Sequence, residues 1–140
     1  MTSRARGRPR STSVVFDDHL RLAETGDVEA DIRRNFAKDV VLLTGIGILR
    51  GHDGVRRSRT VLSQDLPGGD YEYLTRLVHG ECAFLEWRAR AESVEIDDGA
   101  DSFVIRDGLI RVQTIHYTVR HRTGYHEQIT AHPDGGSRGR

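Results

Sequence analysis

The chain has 140 residues, 36% hydrophobic and 30% charged, with one cysteine, Cys82, and a formal net charge of zero; it fits one globular domain that buries a core without disulfide or metal staples. A lone cysteine excludes an internal disulfide and a Cys-rich zinc site and agrees with a reducing compartment, so a cytoplasmic location is expected. The longest apolar runs, Val40–Leu43 and Phe103–Ile105, are far too short to span a bilayer, and no membrane partner is expected.

The charge is unevenly placed. Arg4, Arg6, Arg8 and Arg10 stand without an acid in the first fifteen residues, and Arg138 and Arg140 stand against Asp134 at the end. Between Phe16 and His132 there remain 15 basic and 20 acidic residues, a body charge of −5 that does not suit a nucleic-acid surface. Met1–Ser13 and Pro133–Arg140 hold almost no apolar residues and cannot repay the entropy of ordering. A disordered basic tail over 1–13, a domain over 14–131 and a flexible tail over 132–140 are therefore expected. Arg6-Gly7-Arg8-Pro9 resembles the core of an AT-hook, whose arginines lie in a narrow minor groove. Four residues in an Arg-rich tail match by chance, so nucleic acid is not an expected partner.

Phe16, Leu20 and Ala23 open a helical period, with Asp17 and Asp18 near its start and Gly26 suited to its end. Asp27 can cap a second helix that buries Val28, Ile32 and Phe36. Asp39–Thr44 and Ile48–Arg50, turned by Gly45-Ile-Gly47, read as a strand pair. A third helix is expected from about Asp53 to Asp65, with Val55, Leu62 and Leu66 inward and Pro67-Gly-Gly69 as its stop. Strands follow over Tyr71–Val78, Cys82–Ala91, Ala100–Arg106 and Leu109–Arg120. Asp107-Gly108 between the last two is the pair a type I′ turn prefers, because both residues need positive φ. Helices first and strands after is the α+β pattern, with a curved sheet closed by helices on one face.

Within the fourth of these strands Ala83, Leu85, Trp87 and Ala89 alternate with Phe84, Glu86, Arg88 and Arg90. The apolar set is expected to face the helices and Glu86 and Arg88 to form a solvated ladder, although a one-residue bulge would exchange the faces. No phosphate loop, dinucleotide fingerprint or nucleophile elbow occurs, and the seven histidines form no HxxxH, HxH or Cys-partnered set, so neither cofactor nor metal is expected.

The order and spacing of Leu22-Ala-Glu-Thr-Gly-Asp27, Phe36-Ala-Lys-Asp39-Val-Val, Leu49-Arg-Gly51 and Asp101-Ser-Phe-Val-Ile-Arg-Asp107-Gly108-Leu-Ile110 resemble the NTF2-like cone fold, and its small bacterial SnoaL-like members in particular. The resemblance covers Phe16 to about Arg120. It implies three helices on a curved, mainly antiparallel sheet, an apolar pocket at the wide end, and a homodimer formed across the open sheet face. It implies a small apolar organic ligand and cofactor-independent acid/base chemistry of the isomerase, cyclase or dehydratase kind; the competing class is a non-catalytic ligand-binding or dimerisation module, with its arginine-rich tail as a potential DNA tether.

Carried over residue by residue from the ketosteroid isomerase pattern, Asp101 falls at the carboxylic acid that donates to a substrate oxyanion, a group kept neutral by its apolar site. His19 falls at the oxyanion-binding tyrosine, and Thr44 replaces the general-base aspartate. The epoxide hydrolase pattern is not matched: Ile115, Trp87 and Ala89 stand at its charged positions. Asp101 and His19 are the expected catalytic pair, with Asp101 orienting the imidazole; the alternative is that Asp101 caps the turn at Gly99 or accepts backbone N–H groups while His19 is a half-buried helix residue. Phe36, Thr44, Trp87, Phe103, Gln113 and Tyr117 are the expected substrate-binding residues. Thr114 and His116 are expected on the dimer face.

Overall fold

The computed structural model describes residues 7–122. Arg6, His126, the expected domain end at 131 and the expected C-terminal tail lie outside the described residues. The elements are α1 (Thr12–Thr25), α2 (Val28–Asn35), β1 (Phe36–Thr44), β2 (Gly47–Arg50), α3 (Gly51–Asp65), β3 (Asp70–His79), β4 (Cys82–Arg90), β5 (Val94–Arg106), β6 (Leu109–His116) and β7 (Arg120–His121).

Helix α1 starts ahead of Phe16, so the expected tail boundary at residue 13 falls inside it. Ser11 supplies the cap, its hydroxyl accepting from the Val14 N–H at 3.2 Å. The earlier start brings the fully buried Val15 into the core. Asp17 and Asp18 consequently lie beyond the first turn, and Asp18 instead accepts from Arg21 at 2.7 Å and Arg34 at 2.6 Å. Gly26, at φ 77°, ends α1 in the left-handed region, and Asp27 caps α2 by accepting from the Ala30 N–H. Arg10 reaches across this corner, donating to Asn35 Oδ1 at 2.9 Å and to the carbonyls of Arg34 and Gly108.

The strands form one mixed sheet in the order β2-β1-β6-β5-β4-β3, with β7 added to β5; β1 and β6 run parallel and the other pairs antiparallel. The helices pack on one face of this sheet, α1 against β3, β4 and β5, and α3 against β1 and β2. Between the layers lie Val15, Phe16 and Leu20 of α1, Ile32 of α2, Val55 of α3, Leu42 of β1, Leu85 of β4, and Phe103 and Ile105 of β5, all buried. The other sheet face carries Phe84, Ser102, Val104, Val112 and Thr114 under a shallow groove edged by the exposed Leu77 and Val78.

Asp107 and Gly108 have φ of 54° and 77°, as a type I′ turn requires. The strand they follow is longer than expected. β5 begins at Val94, and the strand-poor Asp97-Asp98-Gly99, which reads as a turn, is a bulge: Trp87 pairs with Gly99 and Ala89 with Ile96. Because the extra residue sits on β5, β4 keeps its alternation. Trp87 and Ala89 stay inward, while Arg88 pairs with Glu72 at 2.9 Å in solvent. The last expected strand is broken after His116, and Arg120–His121 turns back to pair with Glu95 and Val94.

Candidate functional site

Between the helices and the inner sheet face lies a cavity of about 540 Å³. Leu20, Leu62, Leu85 and Ile115 give it an apolar lining. Tyr71, Trp87 and Tyr117 form an aromatic wall, with centroids 5.7 Å apart for the first pair and 5.8 Å for the second. Polar side chains also line it, among them His19, Arg59, Asp101 and Gln113.

Asp101 does not cap a turn. It stands inside β5, directly opposite Leu85 of β4 and Ile115 of β6. Two residues further along those strands, on the same face, are Trp87 and Gln113, and these diagonal neighbours bind it. Trp87 Nε1 donates to Asp101 Oδ1 at 3.0 Å and Gln113 Nε2 to Oδ2 at 3.0 Å. Burial pushes the Asp101 carboxyl above its ordinary range, outweighing these two hydrogen bonds and the nearby His19 and Arg59. The Trp87 ring can lie close only because residue 99 is glycine: a Cβ there would come within 2.3 Å of the indole.

His19 is oriented by Asp31, not by Asp101. Its Nδ1 lies 2.8 Å from Asp31 Oδ2, and its ring is held edge-on by Phe36 at 5.4 Å and Phe103 at 5.3 Å. Asp31 is fully buried and receives two further donors, Asn35 Nδ2 at 2.8 Å on Oδ1 and Arg59 Nη2 at 2.5 Å on Oδ2. Burial pushes Asp31 up, but His19, Arg59 and Asn35 together outweigh it and hold the carboxyl below its ordinary value. An ionised carboxylate only accepts, so Nδ1 carries a proton, and whenever the ring is neutral its lone pair lies on Nε2. Nε2 has no hydrogen-bond partner among the described residues.

Six of the sequence-derived site residues thus meet at the cavity: His19, Thr44, Trp87, Asp101, Gln113 and Tyr117. Thr44 is engaged locally, donating to the Gly47 carbonyl at 3.0 Å and accepting from the Ile46 N–H at 3.1 Å. Tyr117 donates to Asp65 Oδ2 at 2.8 Å. Phe36 and Phe103 do not line the cavity. One closes α2 and the other lies one inward position beyond Asp101 along β5, so both pack behind His19 in the core. His116 is exposed and pairs with Asp98 at 3.3 Å.

The sequence reading missed Asp31, Asn35, Arg59, Tyr71 and Tyr73. Asp31 and Asn35 follow Asp27 at four-residue spacing beside the apolar edge of α2, and Arg59 lies four residues after Val55 on α3. Those spacings place all three on inward stripes. Tyr73 donates to the Leu20 carbonyl at 3.3 Å, and burial pushes its phenol up to about 12. Among the described residues no cluster of His, Cys, Asp and Glu is arranged to hold a metal ion, and no helix is long and apolar enough to cross a membrane.

The two carboxylates predict opposite pH effects on stability. Asp31 is depressed in the folded state, so its contribution is present above the unfolded value of about 3.9 and lost as pH falls through the folded one. Asp101 is raised, so its contribution is full below about 3.9 and lost as pH rises through the folded value. In urea titrations Asp31→Asn is expected to flatten the acid limb of stability below about pH 4. Asp101→Asn is expected to compare better with the parent at pH 7 than at pH 4. Parallel stability profiles for the parent and both variants would contradict the assignment.

The SnoaL-like domain family model matches residues 16–113, and the chain belongs to that family. No curated protein matches the chain. Among solved structures, a candidate polyketide cyclase from Sinorhizobium meliloti is 20% identical with a TM-score of 0.61, covering 73% of this chain and 93% of that one. An NTF2-like protein of unknown function from Cytophaga hutchinsonii is 12% identical with a TM-score of 0.62, covering 80% of this chain and 94% of that one. A candidate ketosteroid isomerase from Kribbella flavida is 16% identical with a TM-score of 0.63, covering 76% of this chain and 77% of that one. At these identities the likeness is one of fold, and the fold is the NTF2-like α+β cone: three helices on a curved, open, mixed sheet.

Proposed function

We propose that the chain binds a small, largely apolar carbonyl compound in the cavity and catalyses its enolisation without a cofactor. The observation that carries this reading is the pairing, on one apolar cavity, of an imidazole fixed by a buried carboxylate with a second carboxyl that burial favours in its protonated form. His19 Nε2 takes a proton from the carbon beside the carbonyl. As the electron pair moves onto the carbonyl oxygen, Asp101 gives that oxygen its proton. The imidazolium then returns its proton at the original or a conjugated carbon, the enol O–H restores the Asp101 proton, and no net charge is left behind. Asp31 steadies the imidazolium in between. The polyketide cyclase and ketosteroid isomerase descriptions attached to two of the similar structures support this choice of reaction class.

The test is the exchange of the α-protons of 2-tetralone in D2O, followed by proton NMR. The expected result is saturable exchange above the buffer rate. Exchange equal to buffer, with the ketone bound, would remove the catalytic half of the reading and leave a binding module.

The open sheet face is the proposed homodimer surface, supported by the exposed apolar Leu77 beside half-buried Phe84 and Val104. Light scattering is expected to give twice the 15.8 kDa chain mass, and the monomer mass at tens of micromolar would sink that proposal.

A further inference from the structure

Arg59 is the one arginine or lysine lining the cavity among the described residues. Its place on α3, one turn after Val55, brings the guanidinium against Asp31, which takes one N–H of Nη2. A guanidinium carries five N–H donors in a planar fork. The other four have no hydrogen-bond partner among the described residues, although the side chain is only 20% exposed. Donors half-withdrawn from water in an apolar hollow are costly unless an acceptor meets them, and a charged acceptor meets them best. The same cavity is lined by the aromatic wall of Tyr71, Trp87 and Tyr117, which favours a flat ring over a flexible chain.

On these grounds we propose that Arg59 is a substrate-anchoring residue, and that the cavity takes a planar ring compound bearing an anionic oxygen, a carboxylate or the acidic enol of a 1,3-dicarbonyl, with the charged end on the Arg59 fork. The inference rests on the cavity being the ligand site proposed above and adds the class of ligand. Glu24 and Asp65 also line the cavity and oppose an anion. Glu24 is exposed and so is screened by water and salt more than the half-buried guanidinium, and Asp65 is already engaged by the Tyr117 hydroxyl at 2.8 Å.

The experiment is calorimetric titration of the full chain at low salt and pH 7.5 with three probes of one ring shape: 2-naphthoate, 2-naphthamide and 2-naphthylmethylamine. The expected result is 2-naphthoate binding at least tenfold tighter than the amide, with the amine weakest. Arg59→Gln is expected to bring naphthoate and amide within about threefold, and Arg59→Lys to keep part of the preference. Equal affinity for naphthoate and amide, or tightest binding of the amine, overturns the anion assignment while leaving the cavity reading intact. A preference that survives in Arg59→Gln overturns the role of Arg59. Binding of none of the three overturns the cavity reading and this inference together. Should Arg59→Gln not fold, the ranking in the parent chain and in Arg59→Lys still decides.

Discussion

Replacing Asp31 by alanine is expected to destabilise the domain by about 3–5 kcal/mol, the largest effect of any single polar substitution in the chain. Asp31 is the point where α1, α2 and α3 meet through hydrogen bonds: His19, Asn35 and Arg59 each donate to it. Removing it leaves a buried imidazole N–H without an acceptor and an arginine whose charge is no longer matched. Asn35 loses one of its two carboxylate partners and keeps the other, Asp18, at 2.9 Å. Urea denaturation measures the loss directly. In a chain of this size the melting temperature is expected to fall by roughly 10 °C or more. A loss under about 1 kcal/mol would show that the hub is no stronger than a surface ion pair.

Changing His19 to glutamine is expected to reduce α-proton exchange of 2-tetralone by about 10²–10⁴-fold. Glutamine can still donate an N–H to Asp31, so the three-helix junction keeps its bond, but it offers no basic nitrogen to the cavity. The ketone should bind within about tenfold of its original affinity, because the aromatic wall is untouched. Asp101→Asn is expected to lose exchange in the same way: its Oδ1 can accept from Trp87 Nε1 and a flipped Gln113 amide can accept from its NH2, yet it has no acidic proton to give. Exchange at the parental rate in His19→Gln would assign the base to another group.

Much of the architecture was legible from local chemistry. Gly26-Asp27 marks a helix corner because one residue adopts positive φ and the next caps, and Asp107-Gly108 marks a hairpin for a related reason. The inward set Ala83, Leu85, Trp87, Ala89 follows from strand alternation alone. What failed was legible only in three dimensions. Asp97-Asp98-Gly99 reads as a turn, and only its pairing with β4 makes it a bulge within one long strand. The start of α1 was missed because Val14 and Val15 follow an arginine-rich stretch that carries no periodic signal, while the Ser11 cap is a single residue.

The site divided in the same way. Asp101, Trp87 and Gln113 lie at diagonal positions on one face of adjacent strands, so alternation and register bring them together. The partner of His19 could not be read this way. Asp31 sits on a short helix among charged neighbours, Glu29, Arg33 and Arg34, and resembles a solvated face. Its burial depends on the angle at which α2 leaves the Gly26 corner, which no local pattern encodes. Phe36 and Phe103 were expected at the cavity, but depth along the cone places both in the core behind His19.

The proposed chemistry depends on two aspartates being driven apart, Asp101 toward its neutral acid and Asp31 toward its carboxylate. Carbon-13 NMR of a chain labelled at the aspartate carboxyl carbons, titrated in the ligand-free state, measures both. The expected result is a midpoint for Asp101 above the ordinary value of about 3.9 and one for Asp31 below it. Asp101 titrating at or below that value, or Asp31 above it, would contradict the division of labour from which the proposed chemistry follows.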